Sequence, residues 1–180
     1  MAAMVGSSGK VIGVEHVEQV AAQSIHNIRA CDGSMKLGDR ILIRIGDGSR
    51  GCPEMAPYDA IHVGAAVSDA EALQAFQDQL KPGGRLIAPV LSRGQGRLEQ
   101  KLIAIDKTSN GVLERKDLRI SLRMVPLGAK DEQVRTAELF FGGRLALLAE
   151  WKLGLTPSFI KVARLKRRVA QFWNSLNPGS

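Results

Sequence analysis

The chain has 180 residues, of which 44% are hydrophobic and 4% aromatic, as expected of one globular domain filled by aliphatic side chains. The scarcity of aromatic residues favours a buried parallel sheet over an aromatic-rich sandwich. The formal net charge of +7 comes mainly from residues 151–180, which contain six basic residues and no acid. The charge therefore does not support nucleic-acid binding by the whole protein.

The sequence shows no targeting signal, membrane span or disulfide framework. The first ten residues lack the basic and apolar regions of a signal peptide, and no apolar run approaches the ~20 residues of a membrane span. Cys31 and Cys52 are too few for a disulfide framework and match no metal-binding spacing. We therefore expect a cytoplasmic protein with reduced thiols.

Strand and helix signals alternate through the first half of the chain. The apolar run Lys10–Glu15 predicts a buried strand, and apolar residues three and four apart predict an amphipathic helix over Val17–Arg29. Arg40–Ile45 and Tyr58–Val63 predict two more strands, each of which is followed by a glycine.

A second helix and a fourth strand follow. Ser68 and Glu71 have the spacing of a capping box, which predicts a helix that begins after Ser68 and ends near Leu80. The segment Lys81-Pro82-Gly83-Gly84 is expected to end this helix, and Arg85–Val90 predicts a strand. Short apolar strands with connections long enough for crossovers predict a doubly wound α/β sheet.

The pattern changes after this strand. Two β segments, residues 98–106 and 112–125, flank a Thr-Ser-Asn-Gly turn at residues 108–111. This arrangement predicts a hairpin late in the chain.

Acidic residues follow two of the predicted strands, at the ends where open α/β sheets bind ligands. Glu15 ends the first strand, and Asp47 lies between two glycines after the second. An acid at such a strand end can accept hydrogen bonds from both hydroxyls of a ribose, and an acid flanked by glycines can reach an adenine amino group. The alternatives are a solvated loop residue for Glu15 and an ordinary turn for Gly46-Asp47-Gly48.

Several segments in this order resemble the protein-L-isoaspartate O-methyltransferases, a family of class I S-adenosylmethionine-dependent methyltransferases. The segments are KVIGVEH at residues 10–16, IGDGSRGCPEMAPYDAIHVGAA at 45–66, LKPGGRLIAPV at 80–90, and VPL at 125–127 with Gln133 downstream. LKPGGRL is shared across class I methyltransferases, whereas YDAIHVGAA at this distance after Gly-Asp-Gly is specific to the family. The resemblance covers roughly residues 4–133.

The resemblance implies a Rossmann-like, doubly wound class I methyltransferase sheet with a late β-hairpin. It implies transfer of a methyl group from S-adenosyl-L-methionine to the carboxylate of isoaspartyl residues in damaged proteins or peptides. The residues it assigns to the cofactor are Glu15 at the ribose, His16 beside the adenosine, Asp47 and Gly48 at the adenine, and Gln133 nearby. Gly128 stands where the family often has Thr.

Two parts of the family pattern have no counterpart in this chain. The first strand with its glycine-rich loop, and the substrate region with the serine tied to catalysis, are expected before residue 4. No catalytic residue can therefore be assigned, and the sheet is expected to be incomplete at the N-terminus. Because the first strand is central in such a sheet, either the chain is an incomplete or alternatively spliced product or another segment fills the gap. One candidate for covering the exposed surface is the apolar stretch 139–148.

The histidines have separate interpretations. His62 lies in a predicted buried strand, where a hydrogen-bonded core histidine is the main interpretation and a catalytic role the alternative, whereas His26 is expected on a helix surface. His16, His26 and His62 have no metal-ligand spacing, so no metal site is expected.

The sequence divides into a partial methyltransferase domain, residues 1–133, and a C-terminal extension, residues 134–180. In the extension, apolar residues at helical spacing alternate with basic ones and predict a basic amphipathic helix as a helical tail. The apolar set is Val162, Leu165, Val169, Phe172, Trp173 and Leu176. This helix either packs on the body or binds an anionic membrane surface or protein partner.

Two functions remain open from the sequence. The first is a protein-L-isoaspartate O-methyltransferase, expected to be a monomer that binds no specific nucleic acid. The alternative is a non-catalytic module with a methyltransferase scaffold that recruits partners through its basic tail.

Overall fold

A computed structural model describes residues 1–30, 37–68, 70–94, 97–121 and 160–164. In chain order, the strands are β1 (Lys10–Glu15), β2 (Ile41–Ile45), β3 (Tyr58–Val63), β4 (Leu80–Gly94), β5 (Arg97–Lys107), β6 (Leu113–Ser121) and β7 (Ile160–Arg164). The helices are α1 (Glu18–Ala30) and α2 (Ala70–Asp78). Among the described residues, no helix has the length and apolar character that crossing a membrane requires.

The strands form one mixed sheet in the order β2-β1-β7-β3-β4-β5-β6. The β1–β2 and β3–β4 pairs are parallel and are joined through α1 and α2, whereas β4, β5 and β6 form an antiparallel meander. The doubly wound α/β prediction is confirmed. The first and third predicted strands match β1 and β3 residue for residue, and α1 lies within one residue of its prediction at each end.

The sheet separates two apolar clusters. On one face, Phe76 of α2 belongs to a cluster with buried aliphatic residues of β1, β3, β4 and β5. These are Ile12, Val14, Ile61, Val63, Leu86, Ala88, Ile103 and Ile105. On the other face, Val11 and Ile41 pack with Val5 of the first turns and with Ile28 of α1. Alternate residues of β1 thus face opposite clusters, as expected of a strand covered on both sides.

The start of β4 differs from its prediction. The helix α2 ends at Asp78, and Leu80 already pairs with Tyr58 of β3, where a helix to Leu80 and then a turn were expected. A Cβ atom on Gly84 would lie 2.8 Å from the Tyr58 carbonyl oxygen. Gly84 therefore allows close contact between β3 and β4, although in the sequence it looks like part of a turn.

The predicted hairpin is confirmed as β5 and β6. Its turn is closed by a hydrogen bond from the Thr108 amide to the Val112 carbonyl at 2.8 Å, and Gly111 has φ +82°. The β6 strand has a bulge where the register against β5 shifts, and Arg119 has φ +56° there. Such a bulge bends the exposed edge of the sheet and limits its pairing with other chains.

The strand β7 lies between β1 and β3 and is antiparallel to both. It occupies the position between β1 and β3 that was expected for the first strand of the family's sheet. The prediction of a helix beginning at Val162 is wrong for residues 162–164, and residues 165–180 lie outside the described part of the chain. Two otherwise unpaired strand edges provide backbone partners on both sides, and this outweighs local helical periodicity. The 139–148 candidate also lies outside the described residues, and the domain boundary at 133 stays a prediction.

Candidate functional site

The ends of β1 and β2 lie side by side at the carboxyl edge of the sheet. Glu15 pairs with Ile45, and the Gly46 amide donates a hydrogen bond to the Glu15 carbonyl at 3.1 Å. The loop containing Asp47 therefore begins next to Glu15. Carboxyl edges of parallel strands are where α/β sheets bind ligands, so the fold places both predicted acids at one candidate site.

Glu15 is a buried acid with one unpaired oxygen. Its side chain is 2% exposed, Oε1 accepts a hydrogen bond from the Val17 amide at 2.9 Å, and Oε2 has no partner among the described residues. Burial raises the pKa of Glu15 to about 7, against the opposing effect of hydrogen bonds from the Val17 and His16 backbone. Buried acceptors are normally satisfied, so Oε2 indicates a missing donor.

His16 follows Glu15 directly in the sequence. Its side chain is half-buried, and Nε2 is buried without a hydrogen-bond partner in the described part of the chain. Glu15 and His16 are therefore consecutive residues that each have one unsatisfied polar atom. Two unsatisfied atoms at a ligand-binding edge fit a polar ligand with hydroxyl or amine groups.

Asp47 is held differently. It is exposed, and Oδ1 accepts a hydrogen bond from the Ser49 amide at 2.9 Å, which caps a short 3₁₀ turn over Gly48–Arg50. Gly48 is buried at the start of this turn. The turn interpretation and the binding interpretation of Gly-Asp-Gly are thus compatible, because the cap uses only one carboxylate oxygen.

The loop after Asp47 is held by two residues that sequence reasoning missed. The side-chain oxygen Oε1 of Gln79 accepts a hydrogen bond from the Cys52 backbone amide at 2.9 Å. Its side-chain nitrogen Nε2 donates one to the Arg50 backbone carbonyl at 2.7 Å. The Tyr58 hydroxyl donates to the Cys52 carbonyl at 2.5 Å, and burial raises the pKa of Tyr58 far above its usual range. Gly51 has φ +67°, and a side chain there would collide with the Gln79 amide.

These contacts left no local signal in the sequence. Gln79 follows a helix and Tyr58 begins a strand, so each has an ordinary local role, and only the fold brings them to the loop. The buried thiol of Cys52 has a pKa raised chiefly by burial. Its role here is structural, through its backbone groups.

Of the other residues singled out in the sequence, the structure describes His62 but not Gln133 or Gly128. His62 is exposed on β3, so the main interpretation as a core histidine is wrong. The strand pattern predicted burial on both faces, but the face of β3 that contains His62 is open at this position. Gln133 and Gly128 lie outside the described residues. Among the described residues, no group of three acidic, histidine or cysteine side chains is placed to hold a metal ion.

The matching family model is that of protein-L-isoaspartate(D-aspartate) O-methyltransferases, which aligns with residues 1–132. Protein-L-isoaspartate O-methyltransferase 1 of Arabidopsis thaliana is 47% identical over 135 residues, which cover 74% of this chain and 55% of the relative. The Caenorhabditis elegans protein-L-isoaspartate O-methyltransferase is 41% identical over 133 residues, 74% of this chain and 56% of the relative. The chain therefore spans about half the length of these curated relatives.

A solved structure is also similar. It is a Plasmodium falciparum protein named for protein-L-isoaspartate O-methyltransferase activity, in complex with S-adenosyl-L-homocysteine. The TM-score is 0.54 at 27% identity, and the match covers 65% of this chain and 51% of that chain.

Proposed function

The chain belongs to the protein-L-isoaspartate(D-aspartate) O-methyltransferase family, and we propose that it supplies the adenosine-binding part of an enzyme that methylates isoaspartyl carboxylates with S-adenosyl-L-methionine. The main support is the unpaired, buried oxygen of Glu15 at the carboxyl end of β1. The damaged proteins or peptides that contain isoaspartyl residues are the proposed substrates.

The residues present fit the adenosine end of this cofactor. A ribose offers two hydroxyl donors, which match the buried Oε2 of Glu15, and the following residue, His16, has an unsatisfied ring nitrogen. The second oxygen of Asp47 is available for an adenine amino group, and Gly48 allows the base to approach the backbone closely. Gln133 is proposed as a further contact by resemblance alone.

In this proposal the chain binds and orients, and no described residue is assigned a catalytic step. When bound, the cofactor would supply a methyl group on a sulfonium, which is electrophilic. The accepting carboxylate is anionic at neutral pH, so little general-base help is required. The contribution of Glu15 and Asp47 is to hold the adenosine so that the methyl group has one orientation, and alignment of this kind lowers the barrier.

The test compares adenosine with 2′,3′-dideoxyadenosine by isothermal titration calorimetry, with S-adenosyl-L-homocysteine as a third ligand. Adenosine is expected to bind at least about tenfold more tightly than the dideoxy compound, because only adenosine supplies donors for Glu15. Equal affinities would show that the ribose lies elsewhere. Absence of saturable binding by all three ligands would contradict the proposal for this chain.

The proposal extends to the location of the protein in the cell, its oligomeric state and its basic tail, residues 166–180. We propose a cytoplasmic monomer whose basic tail contacts an anionic membrane surface or an acidic protein. Removal of residues 166–180 is expected to reduce retention on anionic phosphatidylserine vesicles while it leaves β7 in place. Equal retention of both proteins would show that residues 166–180 do not bind an anionic membrane surface.

A further inference from the structure

Gln79 lies between α2 and β4, and both polar ends of its side-chain amide bind the loop that follows Asp47. The residue is 7% exposed. One amide group thus satisfies a backbone donor, the Cys52 amide, and a backbone acceptor, the Arg50 carbonyl. Loss of the Gln79 amide would remove both hydrogen bonds, and a buried donor without a partner is costly.

We call residues 47–52 the Asp47 loop. The Asp47 carboxylate caps a 3₁₀ turn over Gly48–Arg50, and the turn is closed by a backbone hydrogen bond of 3.0 Å to the Gly48 carbonyl. Gln79 binds the other end of the same turn, at its last carbonyl. Because the turn is short and continuous, the direction of the Asp47 carboxylate depends on where Gln79 holds that end.

Gln79 is itself fixed by the start of β3. The Tyr58 amide donates a hydrogen bond to the Gln79 carbonyl at 2.8 Å, and the Tyr58 hydroxyl donates to the Cys52 carbonyl. Together with the hydrogen bond from Cys52 to Gln79 Oε1, these contacts join the three residues in a closed ring. A Cβ atom on Gly51 would collide with Oε1, so the loop and the amide are in close contact. The Asp47 loop is therefore held against the end of α2 and the start of β3.

We propose that Gln79 is a positioning residue that fixes the Asp47 carboxylate for the adenine amino group and so sets a preference for adenosine over nucleosides without that group. This role rests on the proposed adenosine site. Gln79 acts through the Asp47 loop and not by contact with the ligand. A carboxylate held in one direction discriminates between ligands, because a hydrogen bond weakens steeply when its angle is poor.

A purely structural role of Gln79 would have a different result. The proposed ribose contact, Glu15, lies on β1 and is bound to the Val17 amide, and the hydrogen bonds of Gln79 described above involve neither residue. Loss of the Gln79 amide should therefore weaken only the contact with the adenine amino group. General loosening of the fold would weaken the binding of every nucleoside alike.

The test is calorimetric titration of the unsubstituted chain and of Gln79→Met with adenosine and with purine riboside, which lacks only the amino group of adenosine. The unsubstituted chain is expected to bind adenosine at least about tenfold more tightly than purine riboside, and Gln79→Met less than about threefold more tightly. The affinity for purine riboside should agree within about twofold between the two proteins, because the ribose contact is intact.

The matched control is Gln74→Met. Gln74 is exposed on α2, and its amide donates a hydrogen bond to Asp78 of the same helix at 2.8 Å, so this variant should keep the full preference for adenosine. In a chain that already has Asp47→Ala, Gln79→Met should cause no further loss of adenosine affinity, because the acceptor that it positions is gone. An additive further loss would overturn the proposal.

The outcomes for the two proposals are distinguishable. If both nucleosides bind and Gln79→Met keeps the full preference, or weakens both nucleosides equally, Gln79 does not position Asp47 and the adenosine site stands. If the unsubstituted chain binds neither nucleoside, or both equally, the adenine contact is wrong and the role of Gln79 is overturned with it.

If Gln79→Met does not fold, Gln79→Glu at pH 8 decides. This variant keeps the length of the side chain and an acceptor for the Cys52 amide, but its ionised carboxylate has no donor for the Arg50 carbonyl. The preference for adenosine over purine riboside is expected to fall at least about threefold. An unchanged preference would overturn the proposal.

Discussion

The ends of β1 and β2 each present an acid at the same edge, but the two acids are held in opposite ways. Glu15 is 2% exposed, keeps one oxygen unpaired and has a pKa raised to about 7. Asp47 is exposed and uses one oxygen to cap the 3₁₀ turn through the Ser49 amide. The fold therefore destabilises the ionised form of one acid and gives the other a structural hydrogen bond.

This difference suggests that Glu15 mainly binds a ligand and that Asp47 mainly stabilises its own loop. A buried acceptor without a donor costs free energy, so a ligand that supplies the donor regains that free energy on binding. An exposed acceptor already hydrogen-bonded to the backbone has less to gain from a ligand. We therefore expect Glu15 to contribute more to ligand affinity than Asp47, and Asp47 to contribute more to the local loop structure.

The largest expected effect is that of Glu15→Ala on adenosine binding. The affinity should fall by roughly 2–3 kcal/mol, because the ribose hydroxyls lose their buried carboxyl acceptor. Calorimetry on both proteins measures this loss, and the exposed Glu114→Ala variant on β6 serves as a matched control with unchanged affinity. A loss below that of Asp47→Ala would reverse the comparison.

Substitutions of Asp47 distinguish its proposed role as an acceptor for adenine from its role as a cap on the Ser49 amide. Asp47→Ala should weaken adenosine binding by about 1–2 kcal/mol, since it removes both the adenine acceptor and the cap on the Ser49 amide. Asp47→Asn keeps an oxygen for the cap and should retain the turn in hydrogen-exchange measurements at Ser49. If Asp47→Ala keeps the same exchange protection as Asp47→Asn, the Ser49 hydrogen bond does not hold the turn.

The pH dependence of stability tests the burial of Glu15 without a ligand. Because the pKa is raised in the folded state, the free energy of unfolding is highest below about 4.5 and falls as the pH rises through about 7. Within this window, loss of the proton from one such group costs up to about 1.4 kcal/mol of stability per pH unit. Urea denaturation at pH 5 and pH 8 should show a smaller decrease for Glu15→Gln than for the native sequence. An equal decrease in the two proteins would contradict the raised pKa.

The smallest effect is expected away from the carboxyl edge. Arg85 donates to Asp106 through two nitrogens, at 2.5 and 2.7 Å, across the β4–β5 pair. Both side chains are about one-third exposed, so Asp106→Asn should cost only about 0.2–1 kcal/mol of stability. Adenosine affinity should be unchanged. A change in affinity would mean that the meander influences the site, which would weaken the distinction between the two acids.

Short-range patterns were sufficient for much of the fold. The apolar run at Lys10–Glu15 and the turn at residues 108–111 predicted β1 and the hairpin correctly, because each element depends on neighbouring residues. The placement of Glu15 and Asp47 at one edge also followed from strand order. The exposure of His62 and the strand at Leu80 were not predictable in this way, because both depend on which elements cover or pair with β3.

By itself, the sequence determined the family, the parallel strands and the two acids at their carboxyl ends, because motif order and local periodicity are properties of nearby residues. Only the tertiary structure decided that Ile160–Arg164 is a central strand and that one oxygen of Glu15 is buried without a partner. Both outcomes arise because backbone and carboxylate groups distant in sequence must satisfy or exclude one another once water is removed.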